Sequence, residues 1–387
     1  MYDFDSIPEK RVTGNCKWGC REGIIPMGVA DMDFSSPPEV GEAIAERVKC
    51  GLFGYQTLTA ENYDAIIDWR LKRHGEELKR EWLLGTNGVL NTMRAAIYAL
   101  TEPGDSVIVM TPLHTPSITS ASMRGRRCVD VPMLCENGRY TFDLDGVDRA
   151  FKAGAKMIAL CSPSNPTGRV WTYDELRGLA DVIIANDAYI LCDEIHSDII
   201  YPGNKFISMR TLEGMGQRTV CTFSPSKSFN FGGFHIATLV CENSALRTRI
   251  KDIMYEAGIC CGRPGAMEIT AQHAAYTKGE KWLDELLVYL SGNIDLVTKE
   301  LADTPLKPNR PEASILMWID CSSLNWDTAA YREFSQSIGV TFDPGHYYFM
   351  DNHHIGAYTG PQSHFRMNIG THREVLREAL RRIKRYF

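Results

Sequence analysis

The sequence has 387 residues, of which 44% are hydrophobic and 23% are charged, and its net charge at neutral pH is −6. This length is sufficient for a large hydrophobic core and predicts two domains. The acidic balance, with a pI near 6.0, argues against a nucleic-acid-binding protein. The sequence contains no apolar run of about eighteen residues, so we expect no membrane-spanning helix.

The N-terminus and the cysteines indicate the compartment. Residues 1–5 include neither a basic start nor an apolar stretch, so no signal peptide is expected. Twelve cysteines are scattered along the chain, several of them in apolar runs, which predicts reduced thiols in a cytoplasmic protein. Cys16 with Cys20, or Cys260 with Cys261, could bind a metal. Because no second Cys/His pair stands at zinc spacing, we expect no metal site.

The first part of the chain predicts two helices and a possible anion site. Helical patterns run from Glu39 to Lys49 and from Glu61 to His74, and Gly54-Tyr55 interrupts them. Residues 84–88 form a glycine-bearing turn, and the apolar residues of 89–100 then recur at helical spacing. Such a turn can bind an anion because the free backbone N–H groups and the helix dipole point at it. An ordinary helix start is the alternative.

From residue 106 onward, β-like runs alternate with amphipathic helices, which predicts an α/β fold with a mainly parallel sheet covered by helices. The predicted strands are 106–110, 127–131, 156–162, 189–192, 220–223 and 236–241. The predicted helices are 143–152 and 173–187. The loops expected at the carboxyl edge of the sheet, where α/β folds bind ligands, are 111–116, 163–168, 193–197 and 224–233.

The last third of the chain predicts a smaller α+β unit. Two helices follow residue 266, and the second runs from Glu280 to Leu301. The remaining predicted elements are strands 314–320 and 364–369 and helices 328–338 and 373–385. We therefore expect a large domain formed by 48–285 and a small domain formed by 1–47 together with 286–387.

Lys227, in the loop 224–233 at the carboxyl edge of the predicted sheet, is the candidate catalytic residue. It comes shortly after a predicted strand and follows Ser224 and Ser226, whose hydroxyls could bind a phosphate. A desolvated lysine loses its proton readily and can form a Schiff base with a carbonyl compound. A solvated surface lysine is the alternative, since most lysines in Ser/Gly-rich loops are of that kind.

Two further loops at this edge of the sheet also contain candidate site residues. Asp193 stands at a strand end, where a buried carboxylate needs a cationic partner. A protonated ring nitrogen would be such a partner, and so would an arginine. Asn165 lies in the turn 164–169, and its amide could donate to a phenolate oxygen, although Asn-Pro-x-Gly turns are also common chain reversals.

These motifs together resemble a known family. Asn165-Pro166-Thr167-Gly168, Asp193-Glu194-Ile195-His196 and Ser224-Pro225-Ser226-Lys227, in this order, resemble the pyridoxal-phosphate enzymes of the class I/II aminotransferase superfamily. Val29 to Phe34 and the Ser-Lys-Ser-Phe-Asn run are similar to its carbon–sulfur β-lyase branch, which includes cystathionine β-lyases and cystalysin. The similarity covers nearly the whole chain. It implies a fold-type I architecture with a seven-stranded sheet, and pyridoxal 5′-phosphate as the cofactor.

The resemblance also implies roles for individual residues. Lys227 would form the Schiff base with the cofactor and later move the substrate α-proton. Asp193 would pair with the pyridine nitrogen, which would make the ring an electron sink. Asn165 and His196 would contact the phenolate oxygen, and His114 would stack beside the ring.

The remaining implied contacts concern the phosphate and the substrate. The residues expected to hold the phosphate are Gly88, Val89, Leu90, Ser224 and Ser226, with Tyr55 reaching it from the neighbouring subunit. The active sites would therefore be shared within a homodimer. Arg366 would take the substrate α-carboxylate in a bidentate fork, and Ala30 would also contact the substrate.

Three segments depart from the family pattern. Residues 113–115 contain His114 and Thr115 where relatives have aromatic residues, usually tyrosine. His235 stands where many aminotransferases have a phosphate-binding arginine, and this mildly favours the lyase branch. Residues 343–358 are rich in aromatic residues and histidines, among them His353 and His354, and predict a loop rather than a metal site.

The expected activity is α,β-elimination from L-cystathionine, L-cysteine or related S-substituted cysteines, which releases a thiol, pyruvate and ammonia. An aminotransferase is the nearest alternative because the two reactions share their early steps. A regulatory protein that binds pyridoxal phosphate and has secondary activity is a more remote alternative, favoured only by the altered segment 113–115.

Overall fold

The computed structural model describes residues 2–7, 14–19, 22–259, 263–350 and 362–387. Its strands are β1 (Ile25–Pro26), β2 (Leu83–Thr86), β3 (Ser106–Val109), β4 (Arg127–Asp130), β5 (Leu134–Glu136), β6 (Arg139–Thr141), β7 (Ala155–Cys161), β8 (Tyr189–Asp193), β9 (Thr219–Phe223), β10 (Ala237–Val240), β11 (Lys307–Asn309), β12 (Leu316–Asp320), β13 (Val340–Thr341), β14 (Asp343–Pro344) and β15 (His364–Asn368). Its α-helices are α1 (Pro38–Cys50), α2 (Ala60–His74), α3 (Val89–Leu100), α4 (Thr115–Ser122), α5 (Leu144–Lys152), α6 (Tyr173–Ala185), α7 (Ser244–Glu256), α8 (Ala266–Lys278), α9 (Glu280–Leu301), α10 (Thr328–Ile338) and α11 (Arg373–Tyr386).

The central sheet has seven strands in the order β2-β10-β9-β8-β7-β3-β4, which confirms the mainly parallel sheet expected from the sequence. β10 runs antiparallel to both β2 and β9, and the other neighbours are parallel. β2 therefore points in the same direction as β9. As a result, the turn that follows β2 joins the loops after β3, β7, β8 and β9 at one edge of the sheet.

Several elements differ from the sequence-based prediction. Residues 83–86 form strand β2, whereas the sequence predicted a turn over 84–88. The strand is short and contains Gly85, where a Cβ atom would lie 2.0 Å from Leu58 Cδ1. The glycine therefore admits Leu58 against the strand, a tertiary contact that no local pattern indicates.

Two helices and a hairpin were not predicted. The loop expected at 111–116 ends in helix α4, whose Ser/Thr-rich sequence has little helical periodicity. Helix α7 and the hairpin of β5 and β6 were also missed. The strand predicted from residue 314 begins at Leu316, because Ser314 has a φ of 74°, in the left-handed region.

The C-terminal part forms the expected smaller α+β unit. Its four-stranded antiparallel sheet has the order β11-β12-β15-β14. The N-terminal strand β1 joins this part by pairing with β13. The division into domains at residues 47 and 285 stays a prediction, and its second boundary falls within the continuous helix α9.

The described part of the chain has no helix that is both long and apolar enough to cross a membrane. Its nine cysteines are free thiols, and five of them are buried. The described ranges contain no group of three or more metal-ligating side chains. Cys20, Cys260 and Cys261 lie outside those ranges, as does the part of the predicted loop with His353 and His354.

Candidate active site

A cavity of about 350 Å³ lies at the carboxyl edge of the central sheet. The loops after the parallel strands line it, together with the start of α3 and the N-terminal segment. The residues predicted for the site that line the cavity are Ala30, Gly88, Val89, Leu90, His114, Asn165, Asp193, His196, Ser226 and Lys227. Ser224, Tyr55 and Arg366 are not among the lining residues.

Lys227 follows β9 and points its amine into this cavity. Its Nζ donates a 2.5 Å hydrogen bond to the backbone oxygen of Ala30. Burial lowers the pKa of Lys227, the carboxylate of Asp31 partly offsets this, and the guanidinium of Arg366 lowers the pKa further. The amine is therefore more easily deprotonated than that of a surface lysine, which argues against a solvated surface lysine.

Asp193 ends strand β8 and is 3% exposed. The backbone N–H of Ile195 donates to its Oδ1 at 3.1 Å. Burial raises the pKa of Asp193 to about 7, although this N–H bond lowers it. In the described ranges no arginine or lysine forms an ion pair with Asp193, so a cation supplied by a ligand fits this carboxylate better than an arginine partner does.

Two of the histidines that line the cavity, His114 and His196, are neutral at physiological pH. The pKa of each is lowered to about 3, chiefly by burial and in addition by the cations of Lys227 and Arg366. His196 Nδ1 lies 3.2 Å from Ser314 Oγ. A neutral imidazole can both donate and accept a hydrogen bond, so His196 can contact a polar ligand atom without adding charge.

Asn165 lies in the turn after β7, and Arg366 fixes the orientation of its amide. Arg366 Nη1 donates to Asn165 Oδ1 at 3.0 Å, which leaves the Nδ2 hydrogens as donors. Gly168 closes the turn at a φ of 71°, and a Cβ atom there would lie 2.7 Å from Pro311 Cβ. The glycine of this motif therefore allows a close approach as well as a left-handed conformation.

The start of α3 forms the candidate anion site. Gly88 is the N-cap residue with a φ of 103°, no side chain caps it, and the first turn has no acidic residue. The first N–H groups of the helix are therefore available to an anion. Ser226 Oγ lines the same cavity. Ser224 is not a lining residue, and its Oγ donates to the oxygen of Ile236 at 2.6 Å and to Ser226 Oγ at 2.9 Å.

Two predicted residues lie elsewhere. The side chain of Tyr55 is fully exposed and does not reach the cavity of its own chain. Arg366, on β15, is 3% exposed. It contacts Asn165, the backbone oxygen of Gly28 and the carboxylate of Asp343.

The cavity also includes residues that the sequence reasoning did not name as site residues. Asn87, Asn91 and Arg94 line it from the turn before α3 and from α3 itself. Helical periodicity counted from Gly88 would have identified Asn91, one turn further along. Cys161, Phe234, His235 and Ile236 line other parts of the wall, and of these the sequence had drawn attention only to His235, as a departure from the family pattern.

A buried ion network lies behind the Asp193 loop. Arg70, from α2, donates to Glu76 at 2.6 Å, to Ser197 at 2.9 Å and to Glu194 at 2.7 Å. Arg210 donates to the other oxygen of Glu76 at 3.0 Å. Since Glu194 and Ser197 flank His196, this network fixes the loop that contains both Asp193 and His196.

Comparison with known proteins identifies the family. Residues 22–383 match the family model described as aminotransferase class I and II, and the chain belongs to this family. It is 32% identical to the cystathionine beta-lyase PatB of Bacillus subtilis (strain 168), with 99% of both chains covered.

Solved structures show the same similarity. Cystalysin of Treponema denticola, which contains pyridoxal 5′-phosphate, superposes with a TM-score of 0.93 at 27% identity, covering 100% of this chain and 98% of that one. The pyridoxal-phosphate-bound C–S lyase of Staphylococcus hominis gives 0.90 at 28% identity, with the same coverage. These findings confirm the expected fold class and pyridoxal phosphate as the expected cofactor.

The described residues fit this cofactor. Asp193 is a buried carboxylate that forms no ion pair with an arginine or lysine of the described ranges, and a protonated ring nitrogen would supply the missing partner. The uncapped start of α3 suits a phosphate, and the amine of Lys227 suits an aldehyde carbon. The cavity therefore combines three features that match three separate groups of one ligand.

Proposed function

We propose that the protein is a pyridoxal-phosphate-dependent carbon–sulfur β-lyase. Its substrates would be L-cystathionine, L-cysteine or related S-substituted cysteines, and its products a thiol, pyruvate and ammonia. The observation that carries the proposal is the buried Lys227 amine, with its lowered pKa, in the same cavity as Asp193. The similarity to proteins named as cystathionine beta-lyase and C–S lyase supports the type of reaction.

The cofactor would be held by residues from four parts of the edge. Asp193 would keep the ring nitrogen protonated, and Asn165 Nδ2 and His196 would donate to the phenolate oxygen. The N–H groups at the start of α3 and Ser226 would bind the phosphate, with Ser224 orienting Ser226. When bound, pyridoxal phosphate supplies an electron sink for the negative charge that develops at the substrate Cα.

The chain's own residues would then move protons and orient the substrate. Arg366 would bind the α-carboxylate and Ala30 would contact the substrate, so that the Cα–H bond faces Lys227. Lys227 Nζ would take the Cα proton, and the Cβ–S bond would break with its electron pair leaving on sulfur. Protonation of the sulfur gives the thiol, and hydrolysis of the remaining three-carbon fragment gives pyruvate and ammonia.

We propose further that the active unit is a homodimer. Leu52, Phe53 and Tyr55 are 68%, 61% and 100% exposed, and such a group of exposed apolar side chains is typical of an interaction surface. Tyr55 would donate to the phosphate in the neighbouring subunit. Arg94, which lines the cavity beside α3, would add positive charge at the same end.

Replacing Lys227 by alanine tests the proposal. We expect pyruvate release from L-cystathionine, followed with lactate dehydrogenase and NADH, to fall by at least about 10³-fold, since proton transfer and covalent attachment are both lost. The matched control is Lys205→Ala, at an exposed lysine of the chain, which should keep full activity. Full turnover by Lys227→Ala would disprove the assignment.

The assay also separates the lyase from the aminotransferase alternative, which the family name supports. A lyase releases pyruvate from L-cystathionine without any keto-acid acceptor. If wild-type protein instead consumes the amino acid only when a keto acid is added, the chain is an aminotransferase. Turnover no faster than that of free pyridoxal phosphate would favour a regulatory role.

A further inference from the structure

Asp343 and Arg366 are directly opposite each other on two paired strands. In the antiparallel pair of β14 and β15, Asp343 faces Arg366. Arg366 Nη2 donates to Asp343 Oδ2, and the hydroxyl of Tyr348 donates to the same oxygen at 3.1 Å. The guanidinium carbon of Arg366 also packs over the ring of Tyr348, at 5.2 Å from the ring centre. The arginine proposed to bind the substrate carboxylate therefore already has a carboxylate partner.

The hydrogens of Arg366 can be accounted for one by one. A guanidinium has five N–H donors, two on each terminal nitrogen and one on Nε. Both Nη2 hydrogens are engaged, one by the oxygen of Gly28 at 2.9 Å and one by Asp343. One Nη1 hydrogen goes to Asn165 at 3.0 Å. Nε is buried and has no hydrogen-bond partner in the described ranges.

This inventory conflicts with bidentate binding of a substrate carboxylate. A bidentate pair uses two parallel N–H groups, either Nη1 with Nη2 or Nε with Nη2. Both arrangements need an Nη2 hydrogen, and neither Nη2 hydrogen is free. The substrate carboxylate can therefore take a fork of Arg366 only after Gly28 or Asp343 has released Nη2.

Asp343 is the group that can leave. The oxygen of Gly28 belongs to a backbone segment held by neighbouring strands, since Met27 N donates to Thr341 and Met27 O accepts from Asn368, both at 2.7 Å. Asp343, by contrast, contacts Arg366 through its side chain, which is 31% exposed and can rotate away without moving the backbone. Its carboxylate would also repel an incoming substrate carboxylate at the same guanidinium.

We propose that Asp343 is an internal competitor for the substrate α-carboxylate and thereby sets the substrate affinity of Arg366. Gly28 makes this contact possible, because a Cβ atom there would lie 2.7 Å from Asp343 Oδ1. Displacement of Asp343 accompanies substrate binding, and its charge raises the concentration of amino acid needed to fill the site. This inference rests on the proposed role of Arg366 as the carboxylate receptor.

The test measures binding rather than turnover. The probes are L-alanine, which has the α-carboxylate but no leaving group, and propionate, which has only the carboxylate, titrated calorimetrically into the cofactor-loaded protein. We expect Asp343→Asn to lower the Kd of both probes at least fivefold, since a neutral amide competes less well than a carboxylate for Arg366. Asp343→Ser should shift the Kd in the same direction.

A matched control removes a comparable carboxylate from another buried arginine. Glu312 pairs with Arg169, and the exposures of this pair, 24% and 4%, resemble the 31% and 4% of Asp343 and Arg366. Glu312→Gln should leave both Kd values unchanged. Arg366→Lys should weaken binding of both probes, because a lysine cannot form the fork.

The outcomes separate the inference from the proposed function. If Arg366→Lys weakens binding while the two Asp343 variants bind as the wild type does, or more weakly, the competitor role is wrong and Arg366 remains the receptor. If Arg366→Lys leaves both Kd values unchanged, Arg366 is not the receptor, and its role in the proposed function is wrong. Tighter binding in both Asp343 variants together with loss in Arg366→Lys supports the inference.

Discussion

Two neighbouring groups of buried charges contain carboxylates, Glu76 and Asp193, whose pKa values shift in opposite directions. Behind the Asp193 loop, Arg70 lies between Glu76 and Glu194, and Arg210 binds the other side of Glu76. Burial alone would raise the pKa of Glu76, but the two arginines hold it below its usual value. In the cavity, no arginine or lysine of the described part of the chain forms an ion pair with Asp193, and burial raises its pKa to about 7.

The difference shows what decides whether a buried charge is structural or reactive. Both groups are almost completely removed from water, so exposure does not distinguish them. The network contains its own counter-charges, whereas Asp193 has no ion-pair partner among the described residues. A fully paired network stabilises one conformation, and an unpaired carboxylate can bind and polarise a cationic ring.

The largest expected effect comes from breaking the network. Arg70→Met keeps much of the side-chain volume but leaves Glu76 and Glu194 short of positive charge. Removing one partner of a buried ion network costs about 3–5 kcal/mol, and we expect a loss of that size in the free energy of unfolding, measured by urea denaturation.

The control for this variant is Lys72→Met on the same helix. Lys72 pairs with Glu280, but its side chain is 65% exposed, and exposed ion pairs contribute about 0–1 kcal/mol. If the two variants lose the same stability, the buried network contributes no more than a surface pair, and the contrast with the cavity fails.

Removing the unpaired carboxylate of Asp193 should increase the stability of the cofactor-free protein, whereas breaking the ion network should decrease it. The folded protein keeps Asp193 protonated up to a pKa of about 7, whereas the unfolded chain releases the proton near its ordinary value of 3.8. The cofactor-free wild type should therefore lose stability relative to Asp193→Asn as pH rises from 4 to 7, by up to about 4 kcal/mol. Unfolding free energies of the two proteins, measured at several pH values, give this difference.

Repeating these measurements with the cofactor-loaded protein gives a second test of the role of Asp193. In cofactor-loaded wild-type protein, a protonated ring nitrogen would hold Asp193 ionised, so the loss of stability between pH 4 and 7 should disappear. Pyruvate release by Asp193→Asn should fall by about 10²–10³-fold, since a preorganised charge next to the ring is lost. A variant that kept its activity, or a wild type with no pH-dependent loss, would contradict the role proposed for Asp193.

Local motifs predicted the cavity well and the contacts behind it poorly. Lys227, Asp193 and Asn165 each follow a predicted strand, and the parallel order of the strands brings them to one edge. The bond from Ser224 to the backbone oxygen of Ile236, twelve residues further along, could not be read from the local motif. The contact of Arg366 with Asp343 depends on the register of two strands, and register cannot be seen in either segment alone.

The smallest expected difference concerns the turn that contains Asn165, a residue that lines the cavity. Gly168 and Gly203 both have a positive φ, 71° and 91°, so alanine is strained at either position by about 1–2 kcal/mol. Only at Gly168 would the added Cβ atom also collide, at 2.7 Å from Pro311 Cβ, and such overpacking costs a further 1–3 kcal/mol or so. Gly168→Ala should therefore destabilise the protein more than Gly203→Ala in urea denaturation.

Gly168→Ala should also weaken pyridoxal phosphate binding, because relief of the collision moves the turn that orients Asn165. Equal losses of stability with unchanged cofactor affinity would mean that the turn adjusts without moving Asn165, and that it belongs to the scaffold rather than to the cavity.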